Sequence, residues 1–139
     1  MHWIGKTAKM LEFYHNNALK SKGFNITKEQ WVLLKVLSRE NGISQNRIAC
    51  LTERDKTTLT RLITALEKKG YIARVPSGED KRINLIYITK IGEKMLRDSE
   101  QVFYELLEGL QNGLTEKEKE QTIQVLQKIQ NNIKQSEGC

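Results

Sequence analysis

The sequence is poor in cysteine, histidine and proline, with two, two and one of them in 139 residues. Cys50 and Cys139 are too few for a disulfide framework. They read as one packed thiol inside QNRIACL and one thiol in the tail. Two separated histidines, His2 and His15, with no His/Cys cluster around them make no metal site. No metal or other cofactor is expected. There is no nucleophile–base pair, no phosphate-cradling glycine loop and no acid pair in a recognisable setting, which argues against an enzyme. No run of about 18 apolar residues exists, so no membrane span is expected. The opening MHWIGKTAKMLEF has neither the continuous apolar block nor the small-residue cleavage site of a secretory leader. These absences point to a cytoplasmic protein. Internal repeats, low-complexity segments and long linkers are missing too, so the length suits a single domain with helical extensions.

What the chain does have is charge, unevenly placed. The formal net charge is +6. Residues 1–43 contribute +4, residues 44–94 contribute +5 and residues 95–139 contribute −3. A basic first two thirds and an acidic last third suggest one part that faces a polyanion and another that does not.

Apolar spacing then divides the chain. Ile4, Ala8, Leu11, His15, Ala18 and Leu19 recur every three or four residues and predict a helix over 3–20, stopped near Gly23. Thr27 and Gln30 form a capping box for a second helix carrying Trp31, Leu33, Leu34, Val36 and Leu37. Ser44 heads a short helix with Ile48, Ala49 and Leu51 inward, and Ile43 before it suggests a very short strand. After the turn Thr52-Glu53-Arg54, Asp55 caps a longer helix that ends at Lys69-Gly70. The period then changes. YIARV and INLIYIT are rich in β-branched and aromatic residues and flank Pro-Ser-Gly, which predicts a hairpin. Thr89 caps a helix striped with Met95, Val102, Phe103, Leu106 and Leu110. A break at Gly113-Leu114-Thr115 precedes a last helix with Ile123, Leu126, Ile129 and Ile133 inward.

A short helix, a tight turn and a longer helix make a helix-turn-helix, and a hairpin directly after it makes a winged helix. The longer helix, DKTTLTRLITALEKKG, turns Leu59, Leu62, Ile63 and Leu66 inward. Its other face presents Lys56, Thr57, Thr60, Arg61 and Thr64, with Thr58 in the same first turns, and no acid among them. Hydroxyls, a guanidinium and methyl groups suit base edges in a DNA major groove. A plain solvated face normally mixes charge signs, as LEKK does at the end of this helix. The hairpin tip, VPSGEDKRI, sets Asp80, Lys81 and Arg82 where a wing reaches an adjacent minor groove. Asp80 and Arg82 are two residues apart, so on an extended strand both side chains share a side and the acid can aim the guanidinium. Lys81 suits a phosphate.

With these motifs in view, the sequence resembles the MarR family of bacterial transcription regulators. The likeness spans nearly the whole chain and is most specific over residues 51–96. There it has the Asp-led recognition helix, the Lys-Lys-Gly exit, the wing Asp80-Lys81-Arg82 and the Thr89…Gly92 start of the next helix. The resemblance implies a winged helix-turn-helix lobe, residues 27–89, and a dimerisation lobe from residues 1–23 and 90–135. It implies an obligate homodimer, a minor-groove arginine at Arg82 supported by Asp80, and in many members a small aromatic or amphipathic ligand between the lobes. Tyr14, His15, Trp31 and Lys35, with His2, are the groups on the first two helices suited to such a crevice. Peroxide-sensing members carry a reactive cysteine near the N-terminus; no cysteine precedes Cys50 here. The function expected is that of a sequence-specific double-stranded-DNA-binding regulator, a ligand-responsive repressor on a near-palindromic operator. The alternative is a winged-helix module that binds protein and not DNA.

Overall fold

The computed structural model describes residues 1–134. Among these the chain runs α1 (His2–Ser21), α2 (Lys28–Arg39), β1 (Ile43–Ser44), α3 (Gln45–Thr52), α4 (Lys56–Lys68), β2 (Ile72–Pro76), β3 (Asn84–Ile88), α5 (Lys90–Leu110) and α6 (Glu116–Lys134). This is the mostly α, winged helix-turn-helix architecture that the sequence predicts.

Side chains that satisfy orphan backbone N–H groups set the helix starts. The Thr27 hydroxyl accepts from the Gln30 N–H at 3.2 Å, and the Gln30 Oε1 accepts from the Thr27 N–H at 3.2 Å, completing the capping box. Ser44 accepts from the Arg47 N–H at 3.2 Å and Asp55 from the Thr58 N–H at 2.8 Å. At the far end of α4 the chain leaves through Gly70 at φ +75°, a conformation that favours glycine. The apolar faces of three helices meet in one core. Leu33, Leu34 and Leu37 of α2, Ile48 of α3, and Leu59, Ile63 and Leu66 of α4 are each at most 2% exposed.

The sheet has the order β1-β3-β2 and is antiparallel throughout. The short strand foreseen at Ile43 is present and pairs Ile43 with Ile86 and Ser44 with Leu85. β3 alternates, with Ile86 and Ile88 buried and Tyr87 exposed between them. Pro76 closes β2 opposite Asn84, on an edge strand, where a missing N–H is tolerated.

Thr89 fastens α5 to the exit of α4. Its hydroxyl donates to the Gly70 carbonyl at 2.6 Å and accepts from the Gly92 N–H at 3.1 Å, and its N–H donates to the Tyr71 carbonyl at 3.0 Å. Gly92 fits because a Cβ there would stand 2.1 Å from the Tyr71 carbonyl oxygen.

The chain forms two compact units, Met1–Tyr104 and a second that begins at Glu105, with α5 running through the boundary. In the first unit α1 buries only His15 and Leu19, and Trp3, Met10 and Phe13 are exposed. In the second unit the stripe expected to face inward on α6 is largely uncovered. Ile123, Leu126 and Ile133 are exposed, Ile129 is half-buried, and α6 has no buried residue. No helix among the described residues is long and apolar enough to cross a membrane. Cys50 is half-buried on α3, less enclosed than expected, and Cys139 lies outside the described residues.

Candidate nucleic-acid interface

The site is built on the first two turns of α4. Asp55 holds its N-terminus through the Thr58 N–H at 2.8 Å and the Thr58 hydroxyl at 2.6 Å. The Thr58 hydroxyl foremost, and then its N–H, keep the Asp55 carboxyl below the usual aspartate range. The helix therefore starts on a fixed carboxylate that is already satisfied within the chain.

The outward face is as expected in composition, but its hydroxyls are not equally available. Lys56, Thr57, Thr60 and Arg61 are exposed, and Thr58 and Thr64 are half-buried. Thr58 is committed to Asp55. Thr60 donates its proton to the Lys56 carbonyl at 2.7 Å and accepts from Gln45 Nε2 at 2.6 Å. Thr64 accepts from Arg74 Nη2 at 2.9 Å. The side chains of Lys56, Thr57 and Arg61 take part in none of these contacts. Two residues that sequence reasoning passed over thus shape the face. Gln45, the first residue of α3, crosses to α4. Arg74 of β2 reaches back to Thr64 and also lies 3.2 Å from Glu67 through its Nε, so the base of the hairpin is tied to the recognition helix. Neither tie has a local sequence signal, since the partners are 15 and 10 residues apart.

At the wing, Asp80 does meet Arg82, through a turn and not an extended strand. Residues 77–83 lie between the two strands, and Asp80 Oδ1 accepts from the Arg82 N–H at 3.0 Å and from Arg82 Nε at 3.4 Å. The expected common side of a strand is therefore corrected to a two-residue turn closed by the aspartate, the Asx geometry that aspartate favours. The Ser77 N–H donates to the Ile83 carbonyl at 2.8 Å and closes the loop. The Arg82 side chain is 93% exposed and Lys81 is exposed.

Two of the four crevice candidates, His15 and Trp31, meet at Phe103, and a third, Lys35, lies against Trp31. His15 stacks on Phe103 with ring centroids 5.2 Å apart, and Phe103 stacks on Trp31 at 3.9 Å. Lys35 sits 5.8 Å from the Trp31 ring and pairs with Glu100 at 2.5 Å. That ammonium foremost holds the Glu100 carboxyl below its ordinary range. Trp31 Nε1 is buried and has no acceptor among the described residues. Tyr14 is exposed and meets His15 only edge-on at 6.5 Å. His2 stands apart, edge-on to Trp3. An open cavity of about 430 Å³ lies elsewhere, lined by Asn16, Lys20, Phe24 and Lys69 among others. Burial lowers the Lys69 pKa there.

Residues 26–83 match the sequence pattern described as the MarR family. The transcriptional repressor MprA of Escherichia coli K12 is 31% identical over 131 residues, covering 94% of this chain and 73% of that protein. The HTH-type regulator YybA of Bacillus subtilis is 28% identical over 130 residues, covering 94% and 85%. Among solved structures, the S. aureus MepR–DNA complex superposes with a TM-score of 0.87 at 28% identity, covering 95% of this chain and 96% of that one.

Proposed function

The chain belongs to the MarR family, and on that footing we propose that it is a sequence-specific double-stranded-DNA-binding transcriptional regulator, a ligand-responsive repressor that acts as a homodimer. One observation carries the reading. The first turns of α4 present the side chains of Lys56, Thr57 and Arg61 exposed and outside the contacts that hold Thr58 and Thr60, with the Asp55 carboxylate engaged by the helix cap. A cationic, hydroxyl-bearing helix start of this kind fits a major groove, and Arg82 on the wing fits the minor groove beside it. The MepR structure, which contains DNA, and the repressor name of MprA support the same reading. As a regulator of transcription the protein works where the bacterial chromosome is, in the cytoplasm, and has no catalytic role.

A winged helix-turn-helix lobe over 27–89 and a dimerisation lobe of 1–23 with 90–135 divide the labour. The exposed apolar residues of α1 and α6 support pairing of two copies. Control falls to the His15–Phe103–Trp31 stack, where α1, α2 and α5 join. A small aromatic ligand with an acceptor group would enter by displacing Phe103 and would satisfy Trp31 Nε1. The test is selection of bound duplexes from a random pool by the purified protein. The expected product is a near-palindrome with half-site centres roughly 34–36 Å apart. No enrichment over the starting pool would overturn DNA binding in favour of a protein-interaction module.

A further inference from the structure

We propose that Gln45 is a specificity-determining residue of this protein, which reads an adenine in the major groove from a position fixed by Thr60; the inference rests on the DNA-binding reading above. Gln45 opens α3, and its amide crosses to the exposed face of α4, 2.6 Å from the Thr60 hydroxyl. The orientation of that amide follows from the network. Thr60 has one proton and gives it to the Lys56 carbonyl at 2.7 Å. Its oxygen is left only as an acceptor, so the group facing it must be the Gln45 nitrogen. One N–H of the amide is used in this way. The other N–H and Oε1 remain as a donor and an acceptor.

That remaining pair complements adenine, which offers N7 as acceptor and the N6 amino group as donor in the major groove. A glutamine free to rotate would present donor and acceptor in either order and lose side-chain entropy on binding. Held by Thr60, it presents one order in advance. Thr60 then acts through Gln45 as a positioning residue and does not itself touch a base. The face of α4 divides accordingly, with Lys56, Thr57 and Arg61 in direct contact and Thr60 supporting the residue beside it.

The test compares duplexes selected from a random pool by the wild type and by Gln45→Ala, Thr60→Val and Thr60→Ser, and then affinities for the preferred duplex and its single-position variants. The wild type is expected to prefer A at one position in each half-site, repeated symmetrically. Gln45→Ala should abolish the preference at that position alone, a loss of about 5- to 150-fold in discrimination. Thr60→Val keeps the side-chain shape but has no oxygen to hold the amide, and it should weaken the same preference. Thr60→Ser should keep it. A merely structural role would shift melting temperature and leave base preference unchanged. Unaltered preference in Gln45→Ala, or an equal weakening on every sequence, overturns the inference while DNA binding stands. Absence of any enriched duplex with the wild type overturns DNA binding itself, and this inference with it.

Discussion

An arginine at a hairpin tip has little to lose on removal except what it touches outside the chain. Arg82 is 93% exposed at its side chain, and among the described residues its side chain pairs with Asp80. Arg82→Ala is therefore expected to weaken duplex binding strongly in an anisotropy titration while the melting curve stays at the wild-type position. Asp80→Ala should give a milder defect, because it frees the arginine without removing it. Equal affinity of Arg82→Ala and wild type would remove the wing from the mechanism. Asp55 allows a prediction of a different kind. Its pKa is depressed in the folded chain, by the Thr58 hydroxyl first. A depressed carboxyl contributes stability that is fully present above the unfolded value of about 4 and is lost as pH falls through the folded value. Asp55→Asn keeps a capping acceptor but carries no charge. Its melting temperature should fall below the wild type's near neutrality, and the gap should close as acid protonates Asp55. A gap that persists into strong acid would mean the carboxylate charge is not the source. At this scale the sequence displayed the residue types well and their availability poorly. Thr60 and Thr64 look like free hydroxyls on a helical wheel. Only the fold brings Gln45 and Arg74 to them.

Elements were the most legible level, because caps and periods are local. The capping box at Thr27, the caps at Ser44 and Asp55, and the switch to a β-rich pattern at Tyr71 all mark boundaries found in the structure. The wing tip was misread in detail because a charged run has no period. The two-residue spacing of Asp80 and Arg82 suggests a strand, whereas the Asp80 carboxylate folds the tip into a turn. The start of α5 shows how much one contact between elements can require. Gly92 lies against the Tyr71 carbonyl, where a Cβ would come within 2.1 Å of the oxygen. The obstacle is backbone, and backbone yields only if α5 moves off the end of α4, which would also break the Thr89 bonds to Gly70 and Tyr71. Overpacking typically costs about 1–3 kcal/mol. Gly92→Ala should therefore lower the melting temperature by roughly 5 °C or more, and DNA affinity should fall less than stability does. A melting temperature at the wild-type value would show that the helix has room to retreat.

At the scale of the whole molecule, charge and apolar surface are separated along the chain. Residues 44–94 carry a net +5 and residues 95–139 a net −3. The acidic third also holds α6, whose Ile123, Val125 and Leu126 are 55%, 55% and 41% exposed. Apolar side chains repeated at helical spacing and left in water are costly, at about 25 cal/mol for each Å² that a partner would cover. A second copy brings the same stripe, and twofold symmetry lets the two satisfy each other. Leu126→Glu is expected to put a carboxylate into that contact, where burial of an unpaired charge is strongly unfavourable. The variant should sediment as a single chain at concentrations where the wild type sediments as a pair, with its helical circular dichroism retained. Its DNA binding should fall on the full near-palindrome and approach the wild type's affinity for an isolated half-site, since linking two half-site contacts is what raises avidity. A wild type that sediments as a single chain at micromolar concentration, or a Leu126→Glu variant that remains a pair and binds the palindrome normally, would overturn the part assigned to α6. The first of these results would also remove the expectation of a symmetric operator, because one recognition helix has no reason to prefer a repeated site.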